Sequence, residues 1–465
     1  MKIQVGILCL AVGFALTGTA DDEPIVDPFE VVATFDRFSK MELWPGFDAT
    51  TYSIAIFDGQ RTLLFRHPDP PDKFRPLEGH ESVWVSPGKH PAMRWNSNAD
   101  IGGTPTATLL LTIEPGRSVE YEAHILFHEV FHLFSKPLHP TWRPNEMWRY
   151  SYPMDDVDNY RQLLLEEEAL ARAVTSETDE SAASWTAEAL AIRAQRTAKI
   201  SAEHRTFETA LELQEGTAVY MGRSAIGIAD NTDKLREERG PEGIRWRCYE
   251  TGSAIAVVLD RLLPEWKKIL DGEPDTTFTE LLEMAISARE VSRATFSTEE
   301  IISISNRADA AISNLEAIRG AVYEDFLGRG KRVVVRLADE DEQLGTGRFN
   351  PMAVEVLNNG QVLQADFLTA DHPRGEVSLQ NPHFVRRSND GVVALTTPAS
   401  GDHPFLYGYR QIAISGFSGD PTVSRDGNAV KIEAEGLKLE FNGVIVESTE
   451  EELIVTVLPA AKFEE

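Results

Sequence analysis

The spacing of apolar residues predicts a small β-sheet in the first part of the chain. The strand candidates are residues 54–57, 62–65, 82–85 and 106–113. The first two flank Asp58 and Gly59, a pair that favours a tight turn, so we expect a β-hairpin over residues 52–67. Residues 118–135 follow as a largely apolar stretch with helical spacing, which indicates a helix buried on most sides.

The pattern then becomes helical for most of residues 158–327, with few glycines or prolines inside the periodic segments. The helix candidates are residues 160–174, 183–200, 204–226 and 248–263, with two or three more over 278–326. After residue 330, short β-branched segments alternate with turn pairs such as Asn359 and Gly360, which predicts a β-sandwich or barrel. The expected fold class is α+β, with an all-β carboxyl-terminal domain over residues 331–465.

The first twenty residues have the features of a secretory signal peptide. Lys2 precedes an apolar run over residues 3–16, which is too short for a comfortable membrane span, and small residues lead to Ala20. Cleavage after Ala20 would place the protein outside the cytoplasm, and a retained anchor is the alternative. Cys248 would then be the sole cysteine, so no intramolecular disulfide is expected.

The overall charge excludes some classes of partner. The chain has 74 acidic and 45 basic side chains, which gives a formal net charge of −29. Such an acidic protein repels nucleic acid and anionic lipid. Because the charge is spread along the chain, we interpret it as favouring solubility. We expect no membrane span once the signal is removed.

Residues 128–132 form an H-E-x-x-H motif inside the helix expected over residues 118–135. Side chains four residues apart share a helix face, so His128 and His132 can bind one Zn²⁺ ion. Glu129 is then placed to act as a general base toward water. Two surface histidines beside an ordinary glutamate are the alternative. The apolar flanks argue against it, because buried imidazoles need partners.

Two later segments bear on the rest of this site. A catalytic zinc ion needs a third protein ligand and one open position. Residues 215–220 have the sequence E-G-T-A-V-Y, and residues 249–259 have the sequence Y-E-T-G-S-A-I-A-V-V-L. With the H-E-x-x-H motif, these segments resemble the gluzincin metallopeptidases of the aminopeptidase N type. The resemblance implies a thermolysin/gluzincin-like catalytic domain over residues 21–330.

The resemblance also implies individual roles. Glu215 would be the third zinc ligand, and Tyr249 would donate its phenol hydrogen to the oxyanion of the tetrahedral intermediate. A packed core tyrosine is the alternative for Tyr249. The rival glutamates for the third ligand are Glu146, Glu167, Glu168 and Glu212.

The sequence departs from the family in two places. His132 and Glu215 are separated by 82 residues, far more than in the family, so an insertion must form helices that lead back to the site. The family also carries a glutamate on a strand before the zinc helix, where it binds the free amino terminus of the substrate. Residues 102–106 occupy that place without a carboxylate. Neighbouring acids that could replace it are Glu81, Asp100 and Glu114.

Three smaller features complete the expectations. His124 lies one turn before His128, and we expect it to be a buried polar or supporting residue, since a fourth protein ligand would exclude water. Gly216 and Ala218 are small enough for close packing against the zinc helix. The glutamates at residues 166–168 are expected on a solvated helix face.

Together these features predict a secreted, extracytoplasmic zinc metallopeptidase. His128, His132 and Glu215 would hold Zn²⁺, Glu129 would be the general base, and Tyr249 the oxyanion donor. The first alternative is a zinc hydrolase that cleaves a non-peptide bond on the same scaffold. The second is a non-catalytic binding protein derived from that scaffold.

Overall fold

The computed structural model describes residues 26–112, 116–237, 239–384 and 391–459. The predicted signal peptide lies outside these residues. The described chain divides into two compact units. The first unit comprises the described residues of Met1–Trp142, Leu213–Asn231 and Gly252–Thr277, and the second comprises those of Arg143–Glu212, Thr232–Thr251 and Phe278–Glu465.

Helices dominate the middle of the chain. The α-helices are α1 (Pro28–Phe38), α2 (Val119–Leu138), α3 (Val157–Thr175), α4 (Asp179–Thr197), α5 (Ala202–Leu211), α6 (Thr217–Ala225), α7 (Asp233–Arg236), α8 (Ile244–Leu262), α9 (Trp266–Gly272), α10 (Phe278–Ser287) and α11 (Thr298–Gly328). A π-helical turn at Glu212–Gly216 joins α5 to α6, so the helix expected over residues 204–226 is present, with an irregular turn inside it. No helix in the described part of the chain is both long and apolar enough to cross a membrane.

The first unit contains a six-stranded sheet. Its strands are β1 (Ser53–Phe57), β2 (Arg61–Phe65), β3 (Arg75–Pro76), β4 (Val83–Pro87), β5 (Ser97–Ile101) and β6 (Thr104–Leu110), in the spatial order β3-β4-β2-β1-β6-β5. β1 and β2 form the hairpin expected from the sequence, and Gly59 in its turn has a φ of 98°. β1 and β6 are parallel, while β5 pairs with β6 and forms one edge of the sheet.

α2 carries the H-E-x-x-H motif and packs against β6, α1 and α6. It begins after Ser118, whose hydroxyl accepts a hydrogen bond from the backbone N–H of Tyr121 at 3.2 Å. Glu120 and Glu122 lie in the first turn, where carboxylates interact favourably with the helix dipole. Its fully buried apolar side chains are Ala123, Leu126, Phe127, Val130 and Phe131. Burial of this face therefore fixes α2 inside the first unit.

The carboxyl-terminal part of the second unit is rich in β-strands, as expected. The strands are β7 (Arg332–Leu337), β8 (Gly345–Phe349), β9 (Val354–Val356), β10 (Val362–Gln364), β11 (Phe367–His372), β12 (Gly375–Gln380), β13 (Val393–Pro398), β14 (Tyr409–Ser415), β15 (Thr422–Asp426), β16 (Ala429–Ala434), β17 (Leu437–Asn442), β18 (Val444–Ser448) and β19 (Glu452–Val457). They form one sheet in the order β18-β19-β7-β14-β13-β10-β9 and another in the order β15-β16-β17-β12-β11-β8. Buried residues of both sheets, such as Ile412 and Phe441, share one core, as in a β-sandwich.

The glutamates at residues 166–168 do not form the solvated face expected from the sequence. Glu166 on α3 is fully buried. Burial also raises the pKa of Glu167 to about 7, although the guanidinium group of Arg247 acts in the opposite direction. Glu168 is partly buried and pairs with Arg172 at 2.8 Å. The burial of Glu166 and Glu167 could not be expected from the sequence, because their arginine partners lie far away along the chain.

Glu166 is the centre of a buried ion network in the second unit. Its two carboxylate oxygens lie 2.7 Å from Nε of Arg193 and 3.1 Å from Nε of Arg196, and Arg247 lies 3.4 Å away. Burial by itself would raise the pKa of Glu166, but the three guanidinium groups outweigh it and hold the pKa far below its ordinary value. Each of the first two arginines also binds a second buried glutamate, namely Glu212 and Glu208.

We expect Glu166→Ala to destabilise the second unit by about 3–5 kcal/mol at neutral pH, since it leaves buried arginines without a partner. Urea unfolding followed by circular dichroism measures the change. Because folding lowers the pKa of Glu166, its contribution is complete above the unfolded value of about 4.3 and declines as the pH falls below it. The difference between wild type and variant should therefore shrink in acid.

Glu177→Ala is the matched control, because Glu177 is exposed. It should stay within about 0.5 kcal/mol of the wild type. Equal unfolding midpoints for Glu166→Ala and Glu177→Ala would show that the network does not stabilise the unit.

Candidate metal centre

The two histidines of the motif face one point on α2. Their Nε2 atoms are 3.1 Å apart, and their rings are nearly perpendicular, at 88°. The side chains are mostly buried, with exposed fractions of 13% for His128 and 5% for His132. The spacing of four residues on one helix thus brings both nitrogens to the same place, as the sequence predicted.

Glu215 reaches this point from the π-helical turn that precedes α6. Its Oε2 atom lies 3.1 Å from Nε2 of His132 and 3.4 Å from Nε2 of His128. Its Oε1 atom accepts a hydrogen bond from the side chain of Gln214 at 3.2 Å. Burial by itself would raise the pKa of Glu215, but the two neighbouring histidines outweigh burial and hold it well below the ordinary value.

The three atoms are spaced as ligands of a single ion. A coordination tetrahedron with bonds of about 2.1 Å has edges of about 3.4 Å, and the three observed separations are 3.1, 3.1 and 3.4 Å. His128, His132 and Glu215 therefore form a cluster that could hold a metal ion. In the described residues, no other group of three such side chains comes this close together.

Glu129 is a buried carboxyl group directly beside the cluster. Burial raises its pKa to about 7, and the charge of Glu215 acts in the same direction, while His128 and Lys136 lower it. A carboxyl group with a pKa near neutrality can both accept and release a proton at neutral pH, as a general base must. The carboxylate of Glu129 is not one of the three clustered ligand atoms, which suits its expected role as a base rather than a ligand.

Asn98 on the edge strand β5 bonds to the backbone of this region, and no sequence pattern indicated this role. Its side-chain amide donates to the carbonyl oxygen of Glu129 at 2.8 Å. Its oxygen accepts a hydrogen bond from the ammonium group of Lys136 at 2.9 Å. The edge strand is thereby attached to α2 at the residue expected to act as the base. An isolated asparagine in a strand carries no signal for such a long-range bond.

His124 is a packed residue, in line with the sequence analysis. Nδ1 of its ring lies 3.0 Å from the carbonyl oxygen of Tyr121. Burial lowers the pKa of His124 to about 4, so the ring is neutral at physiological pH. Close helix packing occurs beside it at Gly222 of α6, whereas the sequence pointed to Gly216 and Ala218. Ala218 is also fully buried.

The rival glutamates have other partners, all within the second unit. Each pairs with an arginine: Glu146 with Arg245 at 3.0 Å, Glu167 with Arg247 at 3.1 Å, Glu168 with Arg172 at 2.8 Å, and Glu212 with Arg193 at 2.7 Å. Glu212 also accepts a hydrogen bond at 2.6 Å from Thr251. These carboxylates stabilise the second unit, and Glu215 is the one that meets the imidazoles.

Tyr249 belongs to the second unit and lies on α8. Arg245, one turn earlier on the same helix, donates a hydrogen bond to its phenol oxygen. The Arg245 guanidinium also lies 5.0 Å from the ring centre, and Trp246 packs at 5.1 Å. Because a guanidinium group can only donate, the phenol oxygen is the acceptor in this hydrogen bond. The expected role of Tyr249 at the oxyanion stays a prediction.

Comparison with protein-family models, with curated proteins and with solved structures gives no match to this chain. The resemblance to the gluzincins therefore remains an expectation that rests on three sequence motifs. The metal cluster stands independently of that resemblance, because it rests on the distances between its own atoms.

Proposed function

We propose that the protein is a secreted zinc metallopeptidase with a gluzincin-like catalytic domain. The observation that carries the proposal is the triangle of His128, His132 and Glu215, with the buried carboxyl group of Glu129 at its side. Two imidazoles and one carboxylate are the ligands of a well-known class of catalytic zinc sites, which keep a fourth position open. The metal would supply Lewis-acid polarisation of the scissile carbonyl and acidify a water molecule.

The protein side chains would supply the remaining chemistry. Glu129 would take a proton from the attacking water and pass it to the leaving amine, a role that suits its position next to His128. Tyr249 would donate a hydrogen bond to the developing oxyanion. The predicted signal peptide supports an extracytoplasmic location, where a peptide or protein would be the substrate.

The edge of the first sheet supports cleavage within a peptide chain. Residues 104–106 begin β6, which is paired on both sides and cannot take another strand. Gly102 and Gly103 form the turn before β6, with φ values of 62° and 85°. β5 is one of the two edge strands of this sheet, and an extended peptide can add to a sheet edge through backbone hydrogen bonds.

The three proposed ligands should be required for zinc binding. We expect His128→Ala, His132→Ala and Glu215→Ala each to lose most of the zinc, as measured by elemental analysis of the purified protein. Glu129→Gln should retain zinc and lose peptidase activity, because this carboxylate is a base rather than a ligand.

Glu146→Ala is the matched control for Glu215→Ala, since Glu146 pairs with Arg245 in the second unit. It should retain full zinc occupancy. If Glu215→Ala keeps its zinc while Glu146→Ala or Glu167→Ala loses it, the assignment of the third ligand is wrong. A zinc-loaded wild type that cleaves no member of a peptide library would favour the non-catalytic alternative.

Tyr249→Phe removes one oxyanion donor and keeps the ring. We expect kcat to fall by roughly 10²–10³. KM should change little, because the bond forms mainly in the transition state. Steady-state kinetics on a single peptide measure both values. A variant with the kcat of the wild type would show that Tyr249 only packs the core.

Cleavage should occur within peptides rather than one residue at a time from the amino end. Residues 102–106 carry no carboxylate side chain that could pair with the free amino group of a substrate. Asp100 accepts a hydrogen bond from the backbone of Gly103, Glu81 is exposed, and Glu114 lies outside the described residues.

To measure this preference, one peptide is digested with a free and with an acetylated amino terminus, and the products are identified by mass spectrometry. Both forms should be cut at the same internal bond. Loss of cleavage on acetylation, together with stepwise shortening of the free peptide, would contradict the endopeptidase assignment.

A further inference from the structure

We propose that Gly222 is a positioning residue that sets the distance between α2 and α6 and thereby lets Glu215 meet the two imidazoles. The inference deepens the proposed function and rests on it. Gly222 lies on α6, seven residues after Glu215, where α6 packs on α2. It makes no contact with a metal or substrate, so its effect would act through Glu215.

A side chain at this position has no room. A Cβ atom on Gly222 would lie 2.8 Å from the carbonyl oxygen of His124 and 2.9 Å from Cδ2 of its ring. Real Cβ atoms essentially never come within 3.0 Å of such neighbours. Glycine is thus the residue that permits the observed approach of the two helices.

The neighbouring atoms cannot easily move away. The carbonyl oxygen belongs to the backbone of α2, one turn before His128. The His124 ring is mostly buried, and its Nδ1 lies 3.0 Å from the carbonyl oxygen of Tyr121. A larger residue at position 222 would therefore move α6 as a whole, rather than rotate a flexible side chain.

The required movement is large compared with the tolerance of a metal site. Ordinary contact begins at 3.4 Å, so relief of a 2.8 Å contact needs about 0.6 Å. Metal–ligand distances tolerate only about 0.2 Å. Glu215 lies in the turn that leads directly into α6, and its Oε1 is held by Gln214, so a shift of α6 should pull Oε2 away from His128 and His132.

Gly222→Ala tests this inference, with Gly320→Ala as the matched control. Gly320 lies inside α11, and a Cβ there meets nothing within 4 Å. We expect the zinc Kd of Gly222→Ala to rise by at least about tenfold, as for other residues that orient metal ligands. Its Co²⁺ absorption spectrum should also change. Gly320→Ala should match the wild type in both measurements.

Thermal unfolding with and without zinc separates positioning from simple destabilisation. A purely structural defect lowers Tm equally in both states, whereas a positioning defect reduces the rise in Tm that zinc produces. If Gly222→Ala does not fold, Gly222→Ala with His124→Ala carries the test. This double variant removes the contact with the His124 ring and keeps the contact with the His124 carbonyl oxygen. It is compared with the single variant His124→Ala.

The inference is overturned if Gly222→Ala has the zinc affinity and the Co²⁺ spectrum of the wild type. Failure of the proposed function looks different, because the wild type itself would then bind no zinc, or would bind it without cleaving any peptide. The same set of measurements therefore distinguishes failure of this inference from failure of the proposed function.

Discussion

Two imidazole nitrogens and one carboxylate oxygen meet within 3.4 Å of one another in a mostly buried part of the first unit. All three present lone pairs when deprotonated, and such atoms repel each other unless a proton or a cation lies between them. The fold maintains this arrangement through the capped and buried helix α2 and through α6, which packs closely on it at Gly222. A metal ion would turn the repulsion into attraction and stabilise the packing of the two helices.

In the second unit, buried charges are compensated by other charged side chains. Around Glu166, several arginines and glutamates neutralise one another with hydrogen bonds of 2.7–3.1 Å. Every carboxylate there has a cationic partner from the protein itself. At the metal cluster Glu215 lies beside two imidazoles, which carry no fixed charge. This contrast is the physical argument for assigning a cation to the first site and a structural role to the second.

Local patterns predicted the parts of the fold that depend on neighbouring residues. The hairpin around Gly59, the helix that carries His128, and the β-rich end of the chain all follow from spacing and turn chemistry. Contacts between residues distant in the chain escaped prediction. The burial of Glu166 among arginines, the bond from Asn98 to Glu129, and the glycine contact at Gly222 depend on tertiary packing, which carries no local signature. Glu215 was predicted because it lies in a recognisable motif.

The long separation between His132 and Glu215 has a physical explanation in the division of the chain. The chain leaves the first unit after Trp142 and returns at Leu213, and the segment between them forms α3, α4 and α5 of the second unit. The entropic cost of closing a loop grows only with the logarithm of the loop length. A long inserted segment therefore adds little to this cost if it folds by itself. The ion network around Glu166 connects α3, α4 and α5 within that segment. The π-helical turn at Glu212–Gly216 follows this segment. Within that one turn, Glu212 binds Arg193, and Glu215 lies beside the imidazoles of the cluster. Residues three apart share a face in a regular α-helix, so this irregular turn, of a kind often found at functional sites, is what allows the two carboxylates to serve different partners.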